Sequence, residues 1–273
     1  MIDHPVVDLD PGVTGRQDRP VAGVDNGYVA GYRVRFDEAG ADGLLRTSGL
    51  LRYAQDVAWR HSEDLGFDRR WYVERGRWWV VRAVELEVFA PIPMGRTLRT
   101  ATAVVGHRRI WARRLGESRF ADGTAAAVVR TDWVLLDDRG RVVRIPADFG
   151  LSFSNPELDE DILRVALPPV PESAVRIELA VRPHDLDPMG HVNNAVYLDW
   201  IEEALDAAGL GDASAMTPRR ARLEYVASAP PDASITITAW GEANRWWARI
   251  DHAGADLVRA SGGSSDTHLS RAG

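Results

Sequence analysis

The stretch Gly190-His191-Val192-Asn193-Asn194, running on to Trp200-Ile201-Glu202-Glu203, has an earlier counterpart in Gly43-Leu44-Leu45-Arg46-Thr47, running on to Tyr53-Ala54-Gln55-Asp56. Gly43 to Gly190 and Tyr53 to Trp200 are both steps of 147 positions, so the register holds across the stretch. Further on, Leu86-Glu87-Val88 with Ala90 and Pro93 answers Leu223-Glu224-Tyr225 with Ala227 and Pro230 at an offset of 137. Trp111-Ala112-Arg113 then answers Trp247-Ala248-Arg249 at an offset of 136. Four matches in chain order read as two copies of one domain, here placed at residues 25–150 and 174–262.

Each copy reads as a short strand, one long helix and several strands. Leu50, Ala54, Val57, His61 and Leu65 recur at spacings of three and four, as do Val196, Trp200, Ala204 and Ala208, which is helical periodicity. Val84, Leu86 and Val88 alternate with Glu85 and Glu87, and Ile235 and Ile237 alternate with Thr236 and Thr238, which is strand periodicity. Trp133-Val134-Leu135-Leu136 suits a buried strand closed by the turn Asp137-Asp138-Arg139-Gly140. The pattern is α+β, with each helix expected across the concave face of a curled antiparallel sheet. Prolines in Leu167-Pro168-Pro169-Val170-Pro171 predict an extended linker over 151–173, and residues 1–24 and 263–273 read as flexible tails.

Composition narrows the chemistry. The 273 residues carry a net charge of −7, which argues against a general binder of nucleic acid. The absence of cysteine excludes disulfides, thiolate metal sites and a cysteine nucleophile. Lysine is absent as well, which removes P-loop and Schiff-base chemistry. No apolar run reaches the roughly 18 residues of a membrane helix and no signal peptide is recognisable, so a soluble, cytoplasmic protein is expected. The nucleophile elbow of serine hydrolases, the zincin motif and the Rossmann fingerprint are all missing.

The segment His184-Asp185-Leu186-Asp187-Pro188-Met189-Gly190-His191-Val192-Asn193-Asn194 concentrates polar side chains at a strand-to-helix junction. Asn193 or Asn194 is a natural N-cap, and a helix start offers free N–H groups and a partial positive charge to an oxygen on which negative charge develops. Gly190 permits a tight turn and close approach of a substrate. Asp187 is placed to act as nucleophile or as base on water. Two plainer readings stand beside this one. The segment is also composed like a capped turn, and His184, Asp187 and His191 are possible metal ligands, although their spacing matches no zinc or calcium signature.

Asp187-Pro188-Met189-Gly190-His191-Val192-Asn193-Asn194, with Tyr197, resembles the active-site turn of hotdog-fold thioesterases. From about residue 28 to 260 the chain resembles the plant and bacterial acyl-ACP thioesterases. The carrying residues include Tyr53-Ala54-Gln55, Trp79-Val80-Val81-Arg82, Thr131-Asp132-Trp133 and Leu223-Glu224-Tyr225. The resemblance implies a tandem hotdog that hydrolyses fatty acyl-ACP without metal or organic cofactor, its partner being an acyl carrier protein. It makes Asp187 the catalytic carboxylate, with His191 orienting it and the backbone N–H near Asn194 holding the thioester carbonyl. Gly190, Asn193, Trp79 and Gln55 are the substrate-binding candidates. At the 147 offset Gly40 stands opposite Asp187, so one active site per chain is expected and copy one is left to shape the acyl pocket. Two departures stand out: the plant enzymes have Asn where this chain has Met189, and Glu-Cys where it has Ser228-Ala229, which leaves the second catalytic group open between Glu203 and a simpler mechanism of Asp187 with the helix N-terminus alone. An acyl-CoA thioesterase and a non-catalytic acyl-binding hotdog are the alternatives. The oligomeric state stays open, a homodimer of double hotdogs included.

Alternation along a strand predicts that at most one of Trp78 and Trp79, and one of Trp246 and Trp247, lines an acyl tunnel. Arg108-Arg109, Arg113-Arg114 and Arg219-Arg220 are either docking patches for an acidic carrier or ordinary solvated surface. His61 reads as a packed core histidine.

Overall fold

The computed structural model describes residues 15–16, 27–147, 158 and 160–264. The first copy contributes β2 (Tyr28–Arg33), α1 (Thr47–Asp64), α2 (Arg69–Arg75), β3 (Arg77–Val88), β4 (Thr97–His107), β5 (Trp111–Phe120) and β6 (Ala125–Asp137), preceded by β1 (Gly15–Arg16). The second contributes β7 (Val175–Ala180), α3 (Asn194–Ala207), α4 (Gly211–Ala215), β8 (Arg219–Tyr225), β9 (Ser234–Glu242), β10 (Arg245–His252) and β11 (Ala255–Ser264). Most of the predicted N-terminal tail, and residues 265–273 of the C-terminal one, lie outside the described residues; Gly15–Arg16 pairs with β2, and Gly263 and Ser264 belong to β11.

All strands join one sheet in the order β1-β2-β4-β5-β6-β3-β8-β11-β10-β9-β7. Apart from β1, the two halves mirror each other across the antiparallel β3–β8 seam. At the seam Glu85 faces Arg222, its own counterpart at an offset of 137, and the two are ion-paired. Above it Arg52 of α1 meets Asp199 of α3 at 2.6 Å, again its own counterpart, at an offset of 147. A pseudo-twofold axis therefore runs through both pairs. Two identical chains would bring like charges together there; one chain with diverged halves puts opposite charges in their place.

The helices pack on each other and on one face of the sheet, where Leu86, Leu98, Tyr197, Ile201, Leu223 and Ile237 form one core continuous through both copies. The other face of the sheet carries charge, because the strands alternate. Residues 160–174 cross it without helix or strand. Their backbone is tied down by buried carboxylates: Leu163 N–H donates to Asp132 at 2.9 Å and Val165 N–H to Glu224 at 2.9 Å. Asp132 is in turn gripped by both nitrogens of the Arg113 fork, at 2.7 and 3.0 Å. Among the described residues no helix is long and apolar enough to cross a membrane.

Candidate active site

Asp187 sits in a tight turn between a single helical turn at Pro183–Asp185 and the start of α3. Its N–H donates to the His191 carbonyl at 2.7 Å, and Gly190 N–H returns to the Asp187 carbonyl at 2.9 Å, with Gly190 at φ +75°. The same backbone recurs in copy one. Gly40 N–H donates to the Leu44 carbonyl at 2.8 Å, Gly43 N–H returns to Gly40 at 3.0 Å, and Gly43 has φ +74°. The bridges Leu186–Val192 and Ala39–Leu45 also correspond. In copy one a carboxylate enters the turn from Asp42 instead, whose Oδ1 accepts Leu44 N–H at 2.9 Å, so the copies differ in where along the turn the carboxylate is attached.

What the carboxylate adds is an oriented oxygen. Asp187 Oδ1 accepts the N–H groups of Met189 at 2.8 Å and His191 at 3.3 Å. Among the described residues nothing donates to Oδ2. His191 orients Asp187 through its backbone; its side chain is exposed and does not border the adjoining cavity. Asp185 steadies the approach to the turn, accepting Arg182 N–H at 2.7 Å and the guanidinium at 3.1 and 3.2 Å. Burial pushes its carboxyl up, but the Arg182 contacts outweigh that and hold it below the usual range.

Asn193 is the N-cap, its Oδ1 accepting Ala195 N–H at 2.9 Å. This leaves Asn194 N–H at the first helical position without an acceptor among the described residues, as helix geometry requires. Tyr225 OH fixes that end by donating to the Asn194 carbonyl at 2.9 Å. Tyr197 OH accepts Ala229 N–H at 2.8 Å and meets the Ser228 hydroxyl. Burial chiefly, and the nearby Asp187 charge in small part, raise the Tyr197 hydroxyl above its usual value. Ser228, one of the two departures, therefore stands beside the site. Met189, the other, is exposed at its rim. Glu203 is exposed, near Arg182, and does not border the cavity.

Asp187, Asn193 and Asn194 open onto a cavity of about 610 Å³ whose far wall is copy one, including Gln55, Tyr72, Trp79 and Trp133. The structure thus brings together Asp187, Asn193, Asn194, Gln55 and Trp79, and leaves the Gly190 and His191 side of the turn facing solvent. Gln55 and Asn194 also border a small enclosed cavity of about 20 Å³ deeper in copy one. Two expectations change here. Both Trp78 and Trp79 line the large cavity, because alternation fixes the Cβ direction and not where a long indole ends. Arg113 and Arg114 are not a docking patch: Arg113 is ion-paired under residues 160–161, and Arg114 points inward to α1. His61 is 1% exposed, as a packed core histidine should be.

Two hotdog units fused in one chain, one helix against each half-sheet, define the double-hotdog class. Residues 25–152 match the acyl-ACP thioesterase N-terminal domain and residues 170–257 the C-terminal domain; the chain belongs to the acyl-ACP thioesterase family. The chloroplastic acyl-[acyl-carrier-protein] hydrolase of Cuphea viscosissima is 26% identical over 194 residues, covering 63% of this chain and 46% of that protein, so the match spans about half of the relative's length. In fold, the chain is similar to a Lactobacillus plantarum protein provisionally assigned as an oleoyl thioesterase (TM-score 0.78, 20% identity, 88% of this chain and 96% of that one). It is also similar to the 12:0-ACP thioesterase from Umbellularia californica (TM-score 0.73, 20% identity, 87% and 96%).

Proposed function

We propose that the chain hydrolyses a fatty acyl thioester carried on acyl carrier protein, releasing the free acid and the carrier thiol. The observation that carries this reading is the contrast between Asp187 and Gly40. The same turn is built twice; in copy one its carboxylate is Asp42, and only in copy two does the position matched by Gly40 carry one, Asp187, which borders the large cavity. A carboxylate fixed by two N–H donors with one oxygen left open is suited to chemistry.

In this reading the acyl chain lies in the copy-one cavity and the thioester carbonyl points at Asn194 N–H. The helix start then stabilises the oxyanion as it forms. Asp187 Oδ2 either takes a proton from an attacking water or bonds to the carbonyl carbon, the resulting anhydride being opened by water. Both routes break the C–S bond, and the thiolate leaves with a proton. Gln55 and Trp79 contact the acyl group, while Asn193 and Gly190 shape the helix start and the turn. Arg69 borders the cavity and is exposed, so it offers a cation to an acidic carrier, whereas Arg52 at the same rim is paired with Asp199. Thiol release from the same acyl groups on carrier protein and on coenzyme A tests the proposal. Faster turnover on the carrier protein supports it, faster turnover on coenzyme A overturns the choice of carrier, and none on either overturns the activity.

A further inference from the structure

The cavity wall in copy one is mostly apolar, but it carries polar groups that a plain acyl chain does not call for. The β5–β4 and β5–β6 registers pair Arg114 with Val104 and Thr131, and Ala112 with Trp133. In copy two the matching registers pair Ile250 with Ile237 and Val258, and Ala248 with Ala260. Arg114, Thr131 and Trp133 therefore stand where copy two has Ile250, Val258 and Ala260, all fully buried and apolar. The fold does not need an arginine at this inward position.

Arg114 Nη1 lies 2.9 Å from His61 Nδ1 and 3.4 Å from Thr102 Oγ1. Because a guanidinium only donates, His61 Nδ1 accepts and its ring is neutral. Among the described residues no carboxylate lies within ion-pair distance of Arg114. Burial draws the guanidinium down to about 10, which still leaves it charged at neutral pH. Holding an uncompensated cation inside a protein is costly. A second donor stands in the same wall: Trp133 Nε1 is buried with no acceptor among the described residues. Arg114 and Trp133 both line the large cavity with Asp187 and the small one with Asn194. The wall thus holds two donors without a matching acceptor, the Arg114 guanidinium at the cavity and the covered Trp133 Nε1 within it.

We propose that Arg114, with Trp133, is the specificity determinant of the acyl pocket and selects an oxygenated acyl group, one bearing a hydroxyl, oxo or carboxyl function that accepts these N–H groups. This rests on the reading of the cavity as an acyl site. A hydrogen bond from a partly buried charged donor to such an oxygen favours it over the unsubstituted chain by about tenfold to a hundredfold.

The test is a binding comparison that does not depend on turnover. Non-hydrolysable amide analogues of acyl-pantetheine, with chains of equal length that are either unsubstituted or carry one hydroxyl, oxo or carboxyl group along the chain, are titrated into the wild type, Arg114→Met and Trp133→Phe. The expected result is at least tenfold preference for an oxygenated analogue, collapse of that preference in Arg114→Met, and partial loss in Trp133→Phe, which removes the N–H while keeping an aromatic ring and guards against a folding defect in the arginine variant. Equal or tighter wild-type binding of the unsubstituted analogue overturns the proposal, as does a preference that survives Arg114→Met, or no binding of any analogue. Hydrolysis of plain acyl-ACP alongside a failed preference would leave the thioesterase reading standing and remove only this inference.

Discussion

Replacing Arg113 by methionine should destabilise the fold severely. The Arg113 and Asp132 side chains are 6% and 1% exposed, and the carboxylate is held by both guanidinium nitrogens at 2.7 and 3.0 Å. Arg113 also bonds Glu160 and the Asp161 carbonyl, so it fastens residues 160–161 to the sheet. Methionine fills similar space but leaves Asp132 charged and buried, with Leu163 N–H as its remaining donor among the described residues. Breaking a buried pair in this way costs about 3–5 kcal/mol. For a chain of this size that is a fall in Tm of roughly 6–20 °C. Urea unfolding followed by the fluorescence of the ten tryptophans measures it. Arg113→Met/Asp132→Leu, which removes both charges, should recover part of the loss. A single variant within about 0.5 kcal/mol of wild type, weakened only in carrier binding, would refute the reasoning and return Arg113 to the role of docking residue.

Asp187→Gly should fold nearly as well as the wild type, since Gly40 holds the equivalent backbone position and the Met189 and His191 N–H groups that lose their acceptor lie in an exposed turn open to water. Glycine's extra backbone freedom costs about 1 kcal/mol, a Tm drop of about 2–4 °C, and a much larger drop in a thermal melt would show that the carboxylate is structural. Asp185 is held below its ordinary range by Arg182, so its contribution is fully present above the unfolded value of about 3.9 and is lost as pH falls through the lower folded value. The Tm gap between wild type and Asp185→Asn should therefore be widest near neutral pH and close below about pH 4. A gap independent of pH would contradict the assignment.

Much of this architecture is legible in the sequence because the repeat is metrically faithful. The 147-residue offset matches the helices, the preceding turns and even individual hydrogen bonds. The mirrored sheet order is not legible, since period-two patterning shows which face a residue takes and not which strand it pairs with. The same patterning could have separated Arg113 from Arg114: adjacent strand residues face opposite sides, and Ile250 at the 136 offset marks the second position as interior. Reading the two as a surface cluster overlooked both. The tie between Asp132, Glu224 and the segment at 163–165 left no local signal, because it depends on contacts 31 and 59 residues apart in the chain.

The central claim is that Asp187 performs the hydrolysis. Its most direct test is kcat/KM of Asp187→Asn against wild type on the acyl-ACP that the wild type turns over fastest, with Tm measured on the same samples. The account predicts a loss of about 10²- to 10⁴-fold at nearly unchanged Tm; activity within about threefold of wild type, a difference of less than 1 kcal/mol in transition-state stabilisation, would contradict it.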